Sequence, residues 1–502
     1  MPPCIKVFNQ LFSAFYIIMA DIKEKTYTNF FWKFLEQTLG QFVSLVVSIV
    51  LARILLPEDY GVVTVVLIFI VVCDVFISQG FASALIQKKE VDDRDYSSMF
   101  YASLALSLLL YSALFFSAPY IQSFFGSQYV LLCPILRVMG LQIPISAVKA
   151  IQLAVVSRNL QFRKFFWATL GGKCVSAIVG IWMALEGFGA WALAGQSLSC
   201  CIVDTLILSL IVKWRPIAYF SWGRISSMVS FGSKLVAAGL VDTLYNKLRS
   251  FVIGKQFNPA DLAFYEKGDQ FPSLLMNTTN SSLMAVLFPV MSKFQDDKNS
   301  VLQVCRRSVK VCTYVLFPIM AVLALVSEDL ICVLLTDKWI ECTPYAQIFC
   351  AVYAFYPIYT VNIQAIKAVG QGNAYLILEV AKKITGILCL IIAIPYGMIW
   401  IALSLLISTF INYIINGIAA KLVLGYGIRQ QVVDILPNVA VVAIMTIVVY
   451  FLPQISDSRI LNLVITCVIC VLLYGGVSLL FKNENLQYLM SFVTSKFVHH
   501  DK

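Results

Sequence analysis

The chain has 502 residues, 60% of them hydrophobic and 13% charged, with a net charge of +10 and a mean hydropathy of +0.84. A water-soluble domain is about 45–50% apolar and about 25% charged, because its surface must carry polar groups. This composition excludes a soluble fold and makes lipid the solvent, and the basic residues, which sit mostly between apolar runs, read as topology signals and not as a nucleic-acid surface.

Residues 1–33 form an N-terminal extension and a cytoplasmic segment. The run LFSAFYIIMA is too short to span a bilayer, which takes about 20 residues, and no small-residue cleavage site follows it. The stretch MADIKEKTYTNFFWKF, from Met19, reads as a natural start. Beyond it, the 20-residue ruler finds fourteen candidate spans: 34–56, 60–85, 97–118, 128–156, 165–185, 189–212 and 229–254, then 269–290, 309–327, 343–368, 374–394, 397–421, 433–453 and 459–481. Pro134 and Pro144 interrupt the fourth. The expected fold is an all-α polytopic membrane protein of about fourteen transmembrane helices, with one six-helix bundle over 34–220 and a second over 221–425. Two extra helices and a cytoplasmic tail occupy 426–502.

Loop charge sets the orientation. With the N-terminus inside, about two dozen Lys and Arg fall in inward loops, among them Lys23, Lys33, Lys88, Arg158, Lys496 and Lys502. Only Arg53, Lys255, Lys267, Lys338 and Arg459, five in all, fall outside. This asymmetry follows the positive-inside rule and puts both termini in the cytoplasm. No loop is long enough to hold a soluble domain, so any chemistry belongs to the helices or their ends.

Two stretches repeat. In LARILLPEDYG and in VIGKQFNPADLAFY a base precedes Pro by four residues and Asp by six: Arg53, Pro57 and Asp59, then Lys255, Pro259 and Asp261. Six helices separate the copies, so both run in the same direction. That predicts two bundles related by an axis along the membrane normal, a known transporter plan. The plainer reading is that Pro-x-Asp merely stops helices at an interface.

A charge at the bilayer centre costs at least about 2.5–3.5 kcal/mol, which marks such residues as functional candidates. Lys234, Asp242, Tyr245 and Arg249 on the seventh helix lie within about 80° of one another at 100° per residue. Gln37, Gln41, Ser44 and Ser48 form a milder stripe on the first helix, with Glu36 at its cytoplasmic end. Lys149 and Lys173 lie well inside their segments, and Asp74, Arg137, Asp204, Glu379 and Lys382 are further intramembrane polar groups. Glu36, Lys234 and Arg249 also suit snorkelling to an interface. Asp74 and Asp204 suit glue between helices, and Glu379 with Lys383 suits an i,i+4 ion pair. Together the basic groups point to an aqueous cationic cavity. Lys and Arg there can neutralise a pyrophosphate, and Gln, Asn, Ser and Tyr can hydrogen-bond sugar hydroxyls. The assignment is therefore Lys149, Lys173, Lys234, Arg249 and Tyr245 for substrate, Glu36, Asp74 and Asp242 for ion coupling, and the Gln37–Ser48 stripe for a polar wall.

No catalytic or metal constellation is evident. There is no G-x-x-x-x-G-K-[ST] phosphate loop and no H-E-x-x-H, and both histidines, His499 and His500, lie in the tail. The one C-x-x-C, Cys467 and Cys470, falls in the last apolar run and reads as packing between helices. No cofactor is expected.

The run LARILLPEDYGVVTVVLIFIVVCDVFISQGFASALIQKKEVDDRD resembles the opening signature of Wzx-type polysaccharide flippases of the WzxC-like branch, within the multidrug/oligosaccharidyl-lipid/polysaccharide exporter superfamily. SRNLQFRKF, LEGFGAWALAGQ, SFGSKLV, IGKQFNPADLAFYEKGDQFPSLL and VLFPVMSKFQDD extend the likeness from about Met19 to beyond residue 450. The resemblance implies two six-helix bundles around a central cavity and alternating access. The implied cargo is an undecaprenyl-pyrophosphate-linked oligosaccharide (an O-antigen, capsule or exopolysaccharide unit) crossing the bacterial inner membrane. It implies membrane lipid, a polysaccharide polymerase and glycosyltransferases as partners. One departure stands out: many members carry an acid where this chain has Arg249, which weakens cation coupling on the seventh helix and favours anion binding. A multidrug exporter of the same superfamily is the alternative, and would favour an acidic, aromatic cavity. A membrane polymerase or ligase would need a large periplasmic loop that this chain lacks.

Overall fold

The computed structural model describes residues 24–487 apart from 89, 160, 295, 453–455 and 457. The Met19 start, Lys23, Lys496, Lys502, His499 and His500 lie outside the described residues. Among those described the chain is all α, with fourteen long helical stretches. In the first half they are α1 (Glu24–Ile54), α2 (Pro57–Gln87), α3 (Asp93–Phe125), α4 (Leu132–Arg158), α5 (Phe162–Leu185), α6 (Ala190–Ile211) and α7 (Trp222–Gln256). In the second half they are α8 (Pro259–Ser292), α9 (Lys298–Leu325), α10 (Asp337–Ala368), α11 (Gly372–Ala393), α12 (Met398–Leu424), α13 (Ile428–Tyr450) and α14 (Arg459–Leu480). This is compatible with the fourteen predicted segments. Eleven of the helices are long and apolar enough to cross a membrane. Of the remaining three, α7 carries Lys234, Asp242, Tyr245 and Arg249, and α11 carries Glu379 and Lys382.

Local chemistry sets the helix limits. Pro57 opens α2, and the Asp59 carboxylate accepts the Leu56 N–H at 3.1 Å. In the second copy of the repeat Pro259 opens α8, and the Asp261 N–H donates to Asn258 Oδ1 at 2.8 Å. Pro-x-Asp therefore starts helices here and does not stop them, because proline needs no N–H partner in a first turn. Asp92 and Asp95 form a reciprocal capping box at the start of α3. Pro144 has no N–H to return to Gly140, and α4 breaks there into Leu132–Met139 and Gln142–Arg158. A π-helical turn, Ser78–Ala82, interrupts α2.

By its internal contacts the chain divides into two compact units, Met1–Ala263 and Phe264–Lys502. Within the first of these units α7 packs on α2 and α3.

In the first unit α5 and α6 form the most extensive helix pair, α1 packs on α5, and α2 contacts α3, α4, α6 and α7. Two glycines permit the closest approaches. A Cβ on Gly61 would sit 1.8 Å from the Pro259 carbonyl oxygen, and one on Gly232 would sit 2.2 Å from the Gly80 carbonyl oxygen in the π turn. Small residues that let backbones meet are the expected device where lipid supplies no hydrophobic drive. The first of these contacts also brings the two copies of the repeat against each other. Around it, Phe251 of α7 stacks on Phe124 of α3 at 6.0 Å and meets Phe125 edge-on at 5.4 Å.

In the second unit α11 pairs with α12, and α9 packs on α10 and α13. Asp434 of α13 accepts two hydrogen bonds of 2.8 Å from Arg306 of α9 and one of 2.9 Å from the Tyr426 hydroxyl. Cys470 of α14 packs with Met445 and Val449 of α13, as expected for a cysteine that fills space.

Candidate functional site

The first unit contains a cavity of about 330 Å³ among α1, α2, α5 and α6. Its polar lining includes Ser44, Tyr60, Lys173, Ser176, Gln196 and Ser197, set among Val43, Val47, Val63 and Leu67. The Lys173 ammonium donates to the Gly40 carbonyl of α1 at 2.6 Å. That bond holds the charge at the cavity wall with donors to spare, since an ammonium has three.

Behind the cavity, α4 and α6 are joined by a polar seam. Gln142 donates to Ser197 at 3.0 Å, Ser146 lies 3.9 Å from Cys201, and Gln152 donates to Ser209 at 2.7 Å. At the centre of the seam the Lys149 ammonium pairs with the Asp204 carboxylate, their side chains 27% and 7% exposed. Asp74 of α2 lies near Lys149, and its backbone carbonyl accepts the Ser78 hydroxyl at 2.9 Å. The site thus combines two ammonium groups with two carboxylates. Only Lys173 of the pair of lysines lines the cavity.

The other candidates are dispersed. Ser44 lines the cavity, and the Ser48 carbonyl accepts the Tyr60 hydroxyl at 3.5 Å. Gln37 is exposed and Gln41 half-buried. Glu36 pairs with Lys33 at 2.8 Å. On α7, Lys234 and Asp242 are exposed, Tyr245 is half-buried and Arg249 is buried, so the predicted polar face is graded along the helix. Arg137 donates to the Phe115 carbonyl at 3.3 Å and lies over its ring. In the second unit Glu379 pairs with Lys382 at 2.8 Å and accepts the Tyr359 hydroxyl at 2.7 Å. That unit also holds an apolar recess of about 420 Å³ bordered by Phe317, Met320, Phe355, Val439 and Ile447.

At the membrane edge of the first unit, Arg224 grips both Asp92 oxygens at 2.8 Å and Asp95 at 2.9 Å, and Lys88 reaches Asp95 at 2.7 Å. The Asp95 backbone N–H and Arg224 hold the Asp92 carboxyl below the usual carboxylate range.

Fourteen long helices among the described residues, eleven of them apolar enough to cross a membrane, define the class: a polytopic membrane protein. The solved structure of a lipid II flippase, MurJ, in an inward closed conformation, superposes with a TM-score of 0.74 at 17% identity, covering 92% of this chain and all of that one. An inward-facing multidrug-resistance transporter of the MATE family superposes at 0.61 and 14% identity, covering 76% and 95%. Residues 50–344, more than half of the chain, match the profile of the polysaccharide biosynthesis protein family, and the chain belongs to that family. Among its relatives, the succinoglycan biosynthesis transport protein ExoT of Rhizobium meliloti is 25% identical over 70% of this chain and 71% of its own. The lipopolysaccharide biosynthesis protein WzxC of Escherichia coli is 22% identical over 83% and 85%.

Proposed function

We propose that the chain translocates an undecaprenyl-pyrophosphate-linked oligosaccharide across the bacterial inner membrane by alternating access, with both termini cytoplasmic and all fourteen helices crossing. The carrying observation is Lys173, a cation at the wall of a cavity of mixed polar and apolar lining inside the membrane-spanning helices. A pyrophosphate needs such a partner, because a bare anion in hydrocarbon costs tens of kcal/mol. The printed names of the relatives, which speak of polysaccharide biosynthesis and its transport, support the same reading, as does the fold shared with a lipid II flippase.

The roles divide as follows. Lys173 contacts the pyrophosphate, with Arg249, Lys234 and Tyr245 of α7 as further contacts as the helices move. Lys149 is committed to Asp204, so that pair, together with Asp74, is the element at which a proton or cation is exchanged. Glu36 and Asp242 remain second choices for coupling, and the Gln37–Ser48 stripe lines the path of the sugar. The family bundles begin at 34 and 221, with α7 counted in the second by its place in the repeat. The polymerase and glycosyltransferases of the same pathway supply and consume the cargo.

The test is export of surface polysaccharide by cells whose only copy carries Lys173→Ala or Arg249→Ala. Export falling at least tenfold at unchanged protein level supports the assignment. Normal export in both variants removes it.

A further inference from the structure

The second unit carries a row of rings that the pyrophosphate reading leaves unused. Along α10, Phe349, Tyr353, Tyr356 and Tyr359 follow one another at intervals of three or four residues, so they share a face. Their centroids are 6.0, 6.5 and 6.1 Å apart in order. Phe349 is buried, whereas the three tyrosines are partly buried.

Carboxylates from two other helices meet this row. Asp269 of α8 accepts the Tyr353 hydroxyl at 2.7 Å, and Glu379 of α11 accepts the Tyr359 hydroxyl at 2.7 Å. Lys382 lies 5.0 Å above the Tyr359 ring. Nearby, Thr360 donates to Asn280 of α8 at 2.8 Å, and α8 exposes Asn277, Thr278 and Ser281. Amide and hydroxyl side chains grouped on an exposed helical face favour water over lipid.

The rings pack on the core, Tyr353 and Tyr356 against Met276, Leu316 and Met320, and Tyr359 against Ile363 and Leu378. Leucine or phenylalanine would fill the same space without bringing hydroxyls and two carboxyl groups into the membrane interior. Partly buried rings with carboxylate and amide acceptors at their edges match one ligand chemistry: a sugar, which has an apolar C–H face and a rim of hydroxyl donors. A phosphate is the wrong partner, because two carboxylates stand in the wall.

We propose that Tyr353, Tyr356 and Tyr359, flanked by Asp269 and Glu379, form a binding track for the saccharide portion of the cargo, within the second unit. This inference rests on the proposed lipid-linked oligosaccharide as cargo. Tyr356 supplies the central stacking face, and the two carboxylates accept sugar hydroxyls.

The experiment measures binding to the purified full-length protein of two probes: undecaprenyl pyrophosphate without sugar, and the glycosylated lipid extracted from the native host. Tyr356→Leu is expected to weaken the glycosylated probe roughly two- to twelvefold, the range of one aromatic contact, and to leave the sugar-free probe unchanged. Tyr356→Phe keeps the ring and is expected to bind both as wild type does. Glu379→Gln, which preserves shape, is expected to weaken only the glycosylated probe. Equal loss of both probes, or loss of neither, overturns the track while the flippase reading stands. Failure of the wild-type protein to bind either probe overturns the flippase reading, and the track with it.

Discussion

The pair of Lys149 and Asp204 joins α4 to α6 with the carboxylate side chain 7% exposed and the lysine 27% exposed. Removing one partner of a buried pair costs about 3–5 kcal/mol, because the other charge is stranded. The lysine keeps partial contact with solvent, so Asp204→Leu should cost about 3 kcal/mol, the lower end of that range. Lys149→Met strands Asp204 and should cost a similar amount. The double variant replaces the pair with apolar groups of comparable volume, and such exchanges are close to neutral. It should lie within about 1 kcal/mol of wild type, giving a coupling energy of about 5 kcal/mol. The assay is SDS unfolding of the purified protein in mixed micelles, followed by tryptophan fluorescence, on all four members of the cycle. Single-variant losses that simply add, leaving the double variant about 6 kcal/mol below wild type, would refute the reasoning. Polysaccharide export by the double variant then reports on function apart from folding: if the pair is the coupling element, the stable double variant does not export.

Other expectations follow from local geometry. Gly61→Val places atoms where the Pro259 carbonyl now lies, 1.8 Å from an ideal Cβ; the protein should accumulate poorly and melt lower, whereas Gly475→Ala, with nothing within 4 Å, should be silent in the same assay. Asp434→Ala takes the acceptor from the buried Tyr426 hydroxyl and from the partly exposed Arg306, so it should destabilise the second unit by about 1–3 kcal/mol in the same unfolding titration. The Asp92 carboxyl is depressed below its ordinary value of 3.8, so its stabilising contribution is complete above that value and lost as pH falls through the lower folded-state value. The melting difference between wild type and Asp92→Asn should therefore stay constant from pH 8 to about 5 and shrink only below about 4.

How much of this is legible in the sequence depends on the range of the interaction. Hydropathy locates the helices because a bilayer demands about 20 apolar residues whatever the neighbours. The break in α4 is legible from Pro144, since a missing N–H acts four residues away. Lys149 and Asp204 each stand out as intramembrane charges, yet 55 residues separate them, and no local pattern joins them. The cationic cavity expected from the lysines becomes, for the same reason, a mixed set of charges in which Lys173 alone of the two faces the space. The affiliation of α7 is hidden because it rests on which helices touch it. Periodicity cannot distinguish the tyrosine row on α10 from an ordinary core stripe; Asp269 and Glu379, arriving from other helices, make the difference.

The central claim, that Lys173 neutralises the phosphorylated headgroup, is tested most directly by reconstituting the full-length protein in liposomes and timing the appearance of the glycosylated lipid in the opposite leaflet. A charge-assisted hydrogen bond contributes about 1.5–3 kcal/mol, so Lys173→Met should slow translocation roughly ten- to 150-fold without lowering the unfolding midpoint by a comparable energy. Translocation at the wild-type rate in that variant would contradict the account.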